Sequence, residues 1–271
     1  MKVSPVVLSI AGYDPSSGAG VTADIKTAAA HGCYAVTSIT ALTVQSSRGV
    51  SQVQPLDPDL VRRTLRMLAE DVDIAAVRVG MLGSAEVASA LASMLKELKL
   101  RNIVVDPVLR SSSGASLLDE RGLQALRQEL LPLADVITPN IDEATVLAGA
   151  EAAPVGVPWE ELLVGLRTMS AQLRRLGSRA VVITGGHLQE ANDYLIYLED
   201  GTVKEEVFPG VHLESTSTHG TGCAFACSVA CQLALGKHLP EAVRVAKDYV
   251  RRAVEAAYQL GKGIGPINHM V

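Results

Sequence analysis

The sequence predicts an α/β fold, with a mostly parallel central sheet and helices on both faces. Three observations predict it. Strand-like and helix-like stretches alternate along nearly the whole chain, as consecutive strand–helix units do. Hydrophobic residues make up 48% of the 271 residues and charged residues 20%, which is enough apolar material for a large buried core. Polar, glycine-rich segments follow several of the strand-like runs, where sheets of this kind bind ligands.

Residues 6–12 form an apolar run bounded by a polar loop and read as a buried strand, not as a signal segment: only Lys2 precedes it and Asp14 follows at once. An alanine-rich helix over 20–31 follows, then a Val-, Ile- and Thr-rich strand over 35–44. In 58–69, Leu60, Val61, Leu65, Leu68 and Ala69 share one helical face. The alternation continues with a strand over 74–81, a helix over 85–98, a strand over 102–106, a helix over 120–130 and a strand over 135–138. Pro139-Asn140 interrupts the chain before a helix over 142–148. The segment 152–158 has two prolines and a glycine; it reads as a surface loop, because the same alternation resumes with a helix over 159–175 and a strand over 180–184. Two short strands flank Asp200-Gly201 as a hairpin. In the final helix, Ala242, Val245, Tyr249, Ala253, Ala256 and Leu260 recur at helical spacing. One domain over 1–271 is expected.

The formal net charge of −5 and the lack of a long basic run argue against nucleic acid or an anionic membrane as the main partner. No uninterrupted apolar stretch reaches spanning length, so a cytoplasmic protein is expected. Cys223, Cys227 and Cys231 are spaced by four, which stacks them along one helical face. With Cys33 they read as small hydrophobes rather than metal ligands or disulfides.

Three loops could carry chemistry. The first is residues 12–20, ending in Gly18-Ala19-Gly20. It fits a dinucleotide fingerprint formally, but no acidic residue stands between Asp24 and Asp57 to hold a ribose. That gap argues against a nicotinamide enzyme, and no Walker sequence occurs anywhere. The second is Ser217-Thr218-His219-Gly220-Thr221-Gly222-Cys223, which runs into an apolar helix. Amides at such a helix start lack internal partners and, with the helix dipole, suit a phosphate. Donors aimed at a migrating phosphoryl group stabilise its transition state. The same position favours the thiolate of Cys223 and lowers its pKa. A glycine-capped helix with a buried cysteine is the other reading of these residues. The third element joins Asp106-Pro107-Val108 to Asn140-Ile141-Asp142-Glu143. Neighbouring strand ends would bring Asp106, Asn140 and Glu143 together as oxygen ligands suited to Mg²⁺. Alone, Glu143 reads as an ordinary acidic residue in a first helical turn.

Several further motifs stand in order with these: Ser9-Ile10-Ala11-Gly12-Tyr13-Asp14, Ala23-Asp24 after the Gly-Ala-Gly, Val79-Gly80-Met81-Leu82, Gly185-Gly186-His187, and the tail Gly261-Lys262-Gly263-Ile264-Gly265-Pro266. In order and spacing, the set resembles the hydroxymethylpyrimidine/phosphomethylpyrimidine kinase family of thiamin synthesis over nearly the whole chain. The resemblance implies a ribokinase-like sheet, ATP, Mg²⁺, a homodimer, and two successive phosphorylations of a small pyrimidine. It implies that Gly12, Asp24, Gln45, Met81 and Val108 bind the pyrimidine. Asp106, Asn140, Glu143 and Thr218 would surround the nucleotide phosphates, with Asp106 and Glu143 nearest Mg²⁺. Gly220, Thr221, Gly222 and Cys223 would act on the transferred group, with Cys223 taking the hydroxymethyl proton. Two departures stand out: Thr184 where the family commonly has Lys, and Ser17 where Gly is frequent. A pyridoxal or pyridoxine kinase on the same scaffold, and a non-catalytic ligand-binding relative, are the competing readings.

Overall fold

The computed structural model describes residues 4–151, 157–186, 188 and 190–271. The segment 152–158 thus lies mostly outside the described residues, as does His187. A nine-stranded sheet runs in the order β3-β2-β1-β4-β5-β6-β7-β8-β9. Its central strands, β2 (Tyr34–Ser46), β1 (Val6–Tyr13), β4 (Ile74–Val79), β5 (Ile103–Val105), β6 (Val136–Ile137) and β7 (Ala180–Ile183), are parallel. Antiparallel strands border them: β3 (Gly49–Pro55) beside β2, and the hairpin β8 (Asp193–Glu199) and β9 (Thr202–Phe208) beside β7. Asp200 and Gly201 both take positive φ at the hairpin tip, as a primed turn requires.

Parallel strands buried on both faces alternate between two cores. Leu8, Ile10, Val77, Val79, Val105, Ile137 and Val181 pack on one side. There they meet α2 (Pro58–Asp71), α3 (Ala85–Leu98), α4 (Glu120–Ala125), α5 (Ile141–Ala148) and α6 (Trp159–Arg175). Val7, Ala76, Val104, Val136 and Val182 face the other side, against α1 (Gly20–Ala30), α7 (Thr221–Ala234) and α8 (Leu239–Glu255). Cys227 and Cys231 of α7 are buried in this second core. Among the described residues no helix is long and apolar enough to cross a membrane.

The structure departs from the sequence reading in places. The sequence pattern does not predict β3: the 35–44 strand runs on to Ser46 and turns back through residues 47 and 48. On the helix over 58–69, Val61 and Leu65 are buried but Leu60 is exposed. The helix over 120–130 forms, but its second half, Leu126–Leu130, is a π turn that leads into Leu131–Leu133 as a 3-10 turn. Pro132 has no amide to continue a regular ladder. The last helix stops at Glu255 rather than reaching Leu260. One of its last carbonyls is taken by the returning tail, which places Asn268 N 2.9 Å from Ala253 O.

Candidate active site

All parallel strands end at one edge, and the chain order reverses at β1, which lies between β2 and β4. That reversal opens a crevice between neighbouring strand ends. Gly12 and Met81 stand on its two sides. A Cβ at residue 12 would come within 2.8 Å of Met81 Sδ, so only glycine leaves this wall open. Met81 packs with Ala41 and Leu117, and Val50, Val53 and Val108 border them. Met81 and Val108 thus share one apolar cluster, with Gly12 against Met81. Gln45 projects from the end of β2 to within 3.2 Å of His219.

His219 ties the first loop to the start of α7. Its Nε2 lies 2.8 Å from Asp14 Oδ2 and its Nδ1 3.3 Å from Ser112 Oγ. Asp14 also accepts from the amides of Ser16, Gly18 and Ala19, which folds residues 14–19 into a tight turn. Ser17 takes φ 59° there, which explains why glycine suits that position. Gly220 takes φ 91°, and a methyl group there would collide with the Gly18 carbonyl oxygen. Beyond it, the amides of Gly222 and Cys223 have no hydrogen-bond partner among the described residues, and Gly222 is exposed. They head a helix of 14 residues with its dipole behind them. Thr218 lies in the same turn and accepts the Thr221 amide. The tail closes over the turn: His219 N bonds Gly265 O, Ile267 N bonds His219 O, and His269 Nε2 lies 3.1 Å from Gly18 O.

Beneath this turn lies a buried charge cluster. Arg78 of β4 is fully buried; its Nη1 lies 3.1 Å from Asp24 Oδ2 and its Nη2 2.6 Å from Asp106 Oδ2. Asp24 also accepts from Ser9 Oγ at 2.5 Å. Burial raises the Asp24 carboxyl to about 6, against the opposing charge of Arg78. Burial likewise raises Asp106, again opposed by Arg78. Asp24 has no exposed surface, so it supports the site from below and does not meet a substrate in the crevice. Cys223 corrects the sequence reading as well. Burial of its thiol, reinforced by the charges of Asp106 and Asp24, pushes its pKa up to about 11 despite Arg78 and the helix start. The thiol, not the thiolate, is the resting form.

Asn140 and Glu143 form a capping box at the start of α5. Glu143 N donates to Asn140 Oδ1 at 2.9 Å, and Asn140 N donates to Glu143 Oε2 at 3.0 Å. The Glu143 carboxyl is raised to about 8 by burial and by the charge of Asp106. Two carboxyls that disfavour each other's ionisation in this way fit a divalent cation. Among the described residues no cluster of three or more His, Cys, Asp or Glu side chains is placed to hold a metal. Thr184 pairs with Asn140 at the end of β7.

Comparison with known proteins adds sequence to this geometry. The family described as phosphomethylpyrimidine kinase matches residues 14–268. The chain belongs to that family. It is 42% identical over 265 residues to the hydroxymethylpyrimidine/phosphomethylpyrimidine kinase of Streptomyces coelicolor, covering 98% of this chain and 94% of the relative. It is 41% identical over 265 residues to a thiamine biosynthesis bifunctional protein of Geobacter sulfurreducens, covering 98% of this chain but 52% of that relative. The chain therefore spans about half the length of that bifunctional protein. A solved phosphomethylpyrimidine kinase of Clostridium difficile superposes with a TM-score of 0.78 at 32% identity, covering 93% of this chain and all of that one. The pyridoxal kinase of Bacillus subtilis, solved as an ADP complex, gives 0.85 at 32% identity over 98% and 97% of the two chains. The ribokinase-like α/β fold and the kinase class follow, and with them ATP as phosphoryl donor.

Within this phosphomethylpyrimidine kinase scaffold, sequence reasoning missed the residues that hold the site together. Arg78 carried a signal, a lone charge within an otherwise apolar strand, which must be paired to be buried. Asp14 and His219 stand inside motifs that the sequence reading singles out, yet neither had a role there. They are 205 residues apart in sequence, beyond what local pattern reaches.

Proposed function

We propose that the chain transfers the terminal phosphoryl group of ATP to the hydroxymethyl group of 4-amino-5-hydroxymethyl-2-methylpyrimidine. It then phosphorylates the monophosphate to the diphosphate used in thiamin synthesis. The observation that carries this reading is the strand reversal, where the apolar cluster around Met81 and Val108 lies at the same sheet edge as the unpaired amides that begin α7. Met81 and Val108 cover the ring, Gly12 leaves room for it, and Gln45 meets its polar edge.

The amides of Gly222 and Cys223 draw charge from the migrating phosphoryl group, with Gly220 and Thr221 setting their direction. Thr218 and Asn140 border the donor phosphates. Asp106 and Glu143 would hold Mg²⁺, whose charge would neutralise phosphate oxygens. Cys223 starts as a thiol, so it is not a ready base. Its sulfur orients the hydroxymethyl oxygen, and the proton passes late to an oxygen of the transferred phosphoryl group, once the forming P–O bond has acidified it. A loose transition state asks little basicity of its neighbours. The chain is proposed to act as one domain, in the cytoplasm, as a homodimer. Tyr34, Leu42 and Val44 leave β2 with exposed apolar surface that a second copy would cover.

Chromatography of products from hydroxymethylpyrimidine and Mg-ATP tests the proposal. Monophosphate followed by diphosphate is expected; ADP release without either product would overturn it. Because pyridoxal kinases of Bacillus subtilis and Staphylococcus aureus share the fold at TM-scores of 0.85 and 0.84, pyridoxal is the second acceptor to run. Faster turnover of pyridoxal would move the assignment to that vitamin.

A further inference from the structure

The protons around His219 can be counted, and the count fixes the amide of Gln45. Burial acts to raise the Asp14 carboxyl, but hydrogen bonds from His219 and Ser16 outweigh it and hold the group below its ordinary value. Asp14 is therefore an ionised carboxylate, which only accepts. His219 Nε2 stands 2.8 Å from Asp14 Oδ2, so Nε2 carries a proton and donates it. This holds whether or not Nδ1 is also protonated toward Ser112. Nε2 then has no lone pair to offer the Gln45 amide nitrogen that stands 3.2 Å away; two N–H groups would face each other, so the amide takes the reverse orientation, with its oxygen a second acceptor for the same proton. An amide presents either end by a half-turn, so the hydrogen-bond network decides between them.

Thr43 demands the same orientation independently. Its Oγ1 lies 2.9 Å from the Tyr13 carbonyl oxygen, which can only accept, so the one hydroxyl proton points there. The other end of the Gln45 amide lies 3.2 Å from Thr43 Oγ1. It must be the nitrogen, donating to the hydroxyl oxygen.

We propose that His219 is a positioning residue for acceptor specificity: with Thr43 it locks the Gln45 amide so that one lone pair and one N–H remain for the substrate. That edge complements a ring nitrogen beside an amino group, with the N–H meeting the ring nitrogen and the oxygen meeting the amino donor. A ring without the amino group leaves that remaining lone pair of the amide oxygen without a donor, and sites built to hydrogen-bond a donor reject analogues that lack it. The inference rests on the acceptor assignment above.

His219→Phe keeps a ring against Gly18 and removes the donor. The KM for hydroxymethylpyrimidine is expected to rise about tenfold, the worth of one hydrogen bond near the upper end of its usual range. The KM for ATP is read alongside, because His219 also ties the first loop to the start of α7; a rise there as large as that for the acceptor would overturn the proposal, and preference over pyridoxine should shrink. In a Gln45→Leu background, the same change should add no further rise in the acceptor KM. Effects that multiply in the double variant would overturn the proposal, because His219 would then act without Gln45. Nitrogen-15 spectra of the ligand-free wild type read the tautomer directly, with no need for turnover. A bare Nε2 would overturn the proposal outright. A protonated Nε2 with no pyrimidine turnover would overturn the acceptor assignment and the specificity role with it, and would leave the amide orientation standing.

Discussion

Cys223 and Arg78 show how single side chains carry the chemistry of this site. The guanidinium of Arg78 lies between Asp24 and Asp106, and removing one member of such a set leaves a buried charge uncompensated. The same carboxylates that Arg78 holds in place discourage a thiolate at Cys223. As a thiol the sulfur orients a hydroxyl acceptor rather than deprotonating it, and it matters little where the acceptor is already ionised. Cys223→Ala is expected to slow phosphorylation of the alcohol by at least tenfold more than that of the monophosphate, with each acceptor assayed separately; equal losses would remove the sulfur from orienting the hydroxyl. Gly12, Met81 and Val108 entered the sequence reading through the family resemblance alone, whereas Cys223 stood at a helix start that the glycine-rich turn already marked. Asp24 was legible as part of the site but not in its place, because a helix pattern does not tell which turn lies beneath a neighbouring loop.

Elements impose their own requirements. The strand β6 has two residues and β5 three, so the direction of the chain past Asp106 and Asn140 is set by the segments these strands lead into. After β6 that role falls to the capping box of α5. Replacing Asn140 by Ala removes the acceptor for the Glu143 amide and is expected to cost about 1 kcal/mol in urea unfolding. It should also free the Glu143 carboxyl from its fixed position. A stability change well under half of that would mean another group caps the helix. The parallel strands and their helices were readable because buried strands and amphipathic helices leave strong periodic patterns. β3 was not, since Ser51, Gln52 and Gln54 give an edge strand a polar, loop-like sequence. The π turn at Leu126–Leu130 also left no mark, because it keeps the apolar spacing of an ordinary helix.

At the scale of the whole molecule, burial couples stability to pH. His269 falls from 6.5 to about 4, mainly through burial; its bond to Gly18 O opposes the shift and the charge of Lys26 adds to it. Between those values the unfolded chain binds more protons than the folded one, so stability falls as pH drops from 6.5 to 4. This group contributes about 3 kcal/mol of that loss at most. Asp24, raised to about 6, works in the opposite sense below that pH, because there the folded state takes up the extra proton. His269→Gln is therefore expected to flatten the acid descent of the thermal midpoint between pH 6.5 and 4.5. A variant as acid-sensitive as the wild type would show that His269 is not kept neutral by folding.

Gly18 and His269 meet across 251 positions of chain. At roughly 5–20 residues per second the glycine turn leaves the ribosome roughly 10–50 s before the imidazole that fastens it. Until residues near 269 clear the exit tunnel, the turn has neither its strap nor the backbone partners of His219. A growing chain thus lacks this fastening of the turn however much of its sheet has formed.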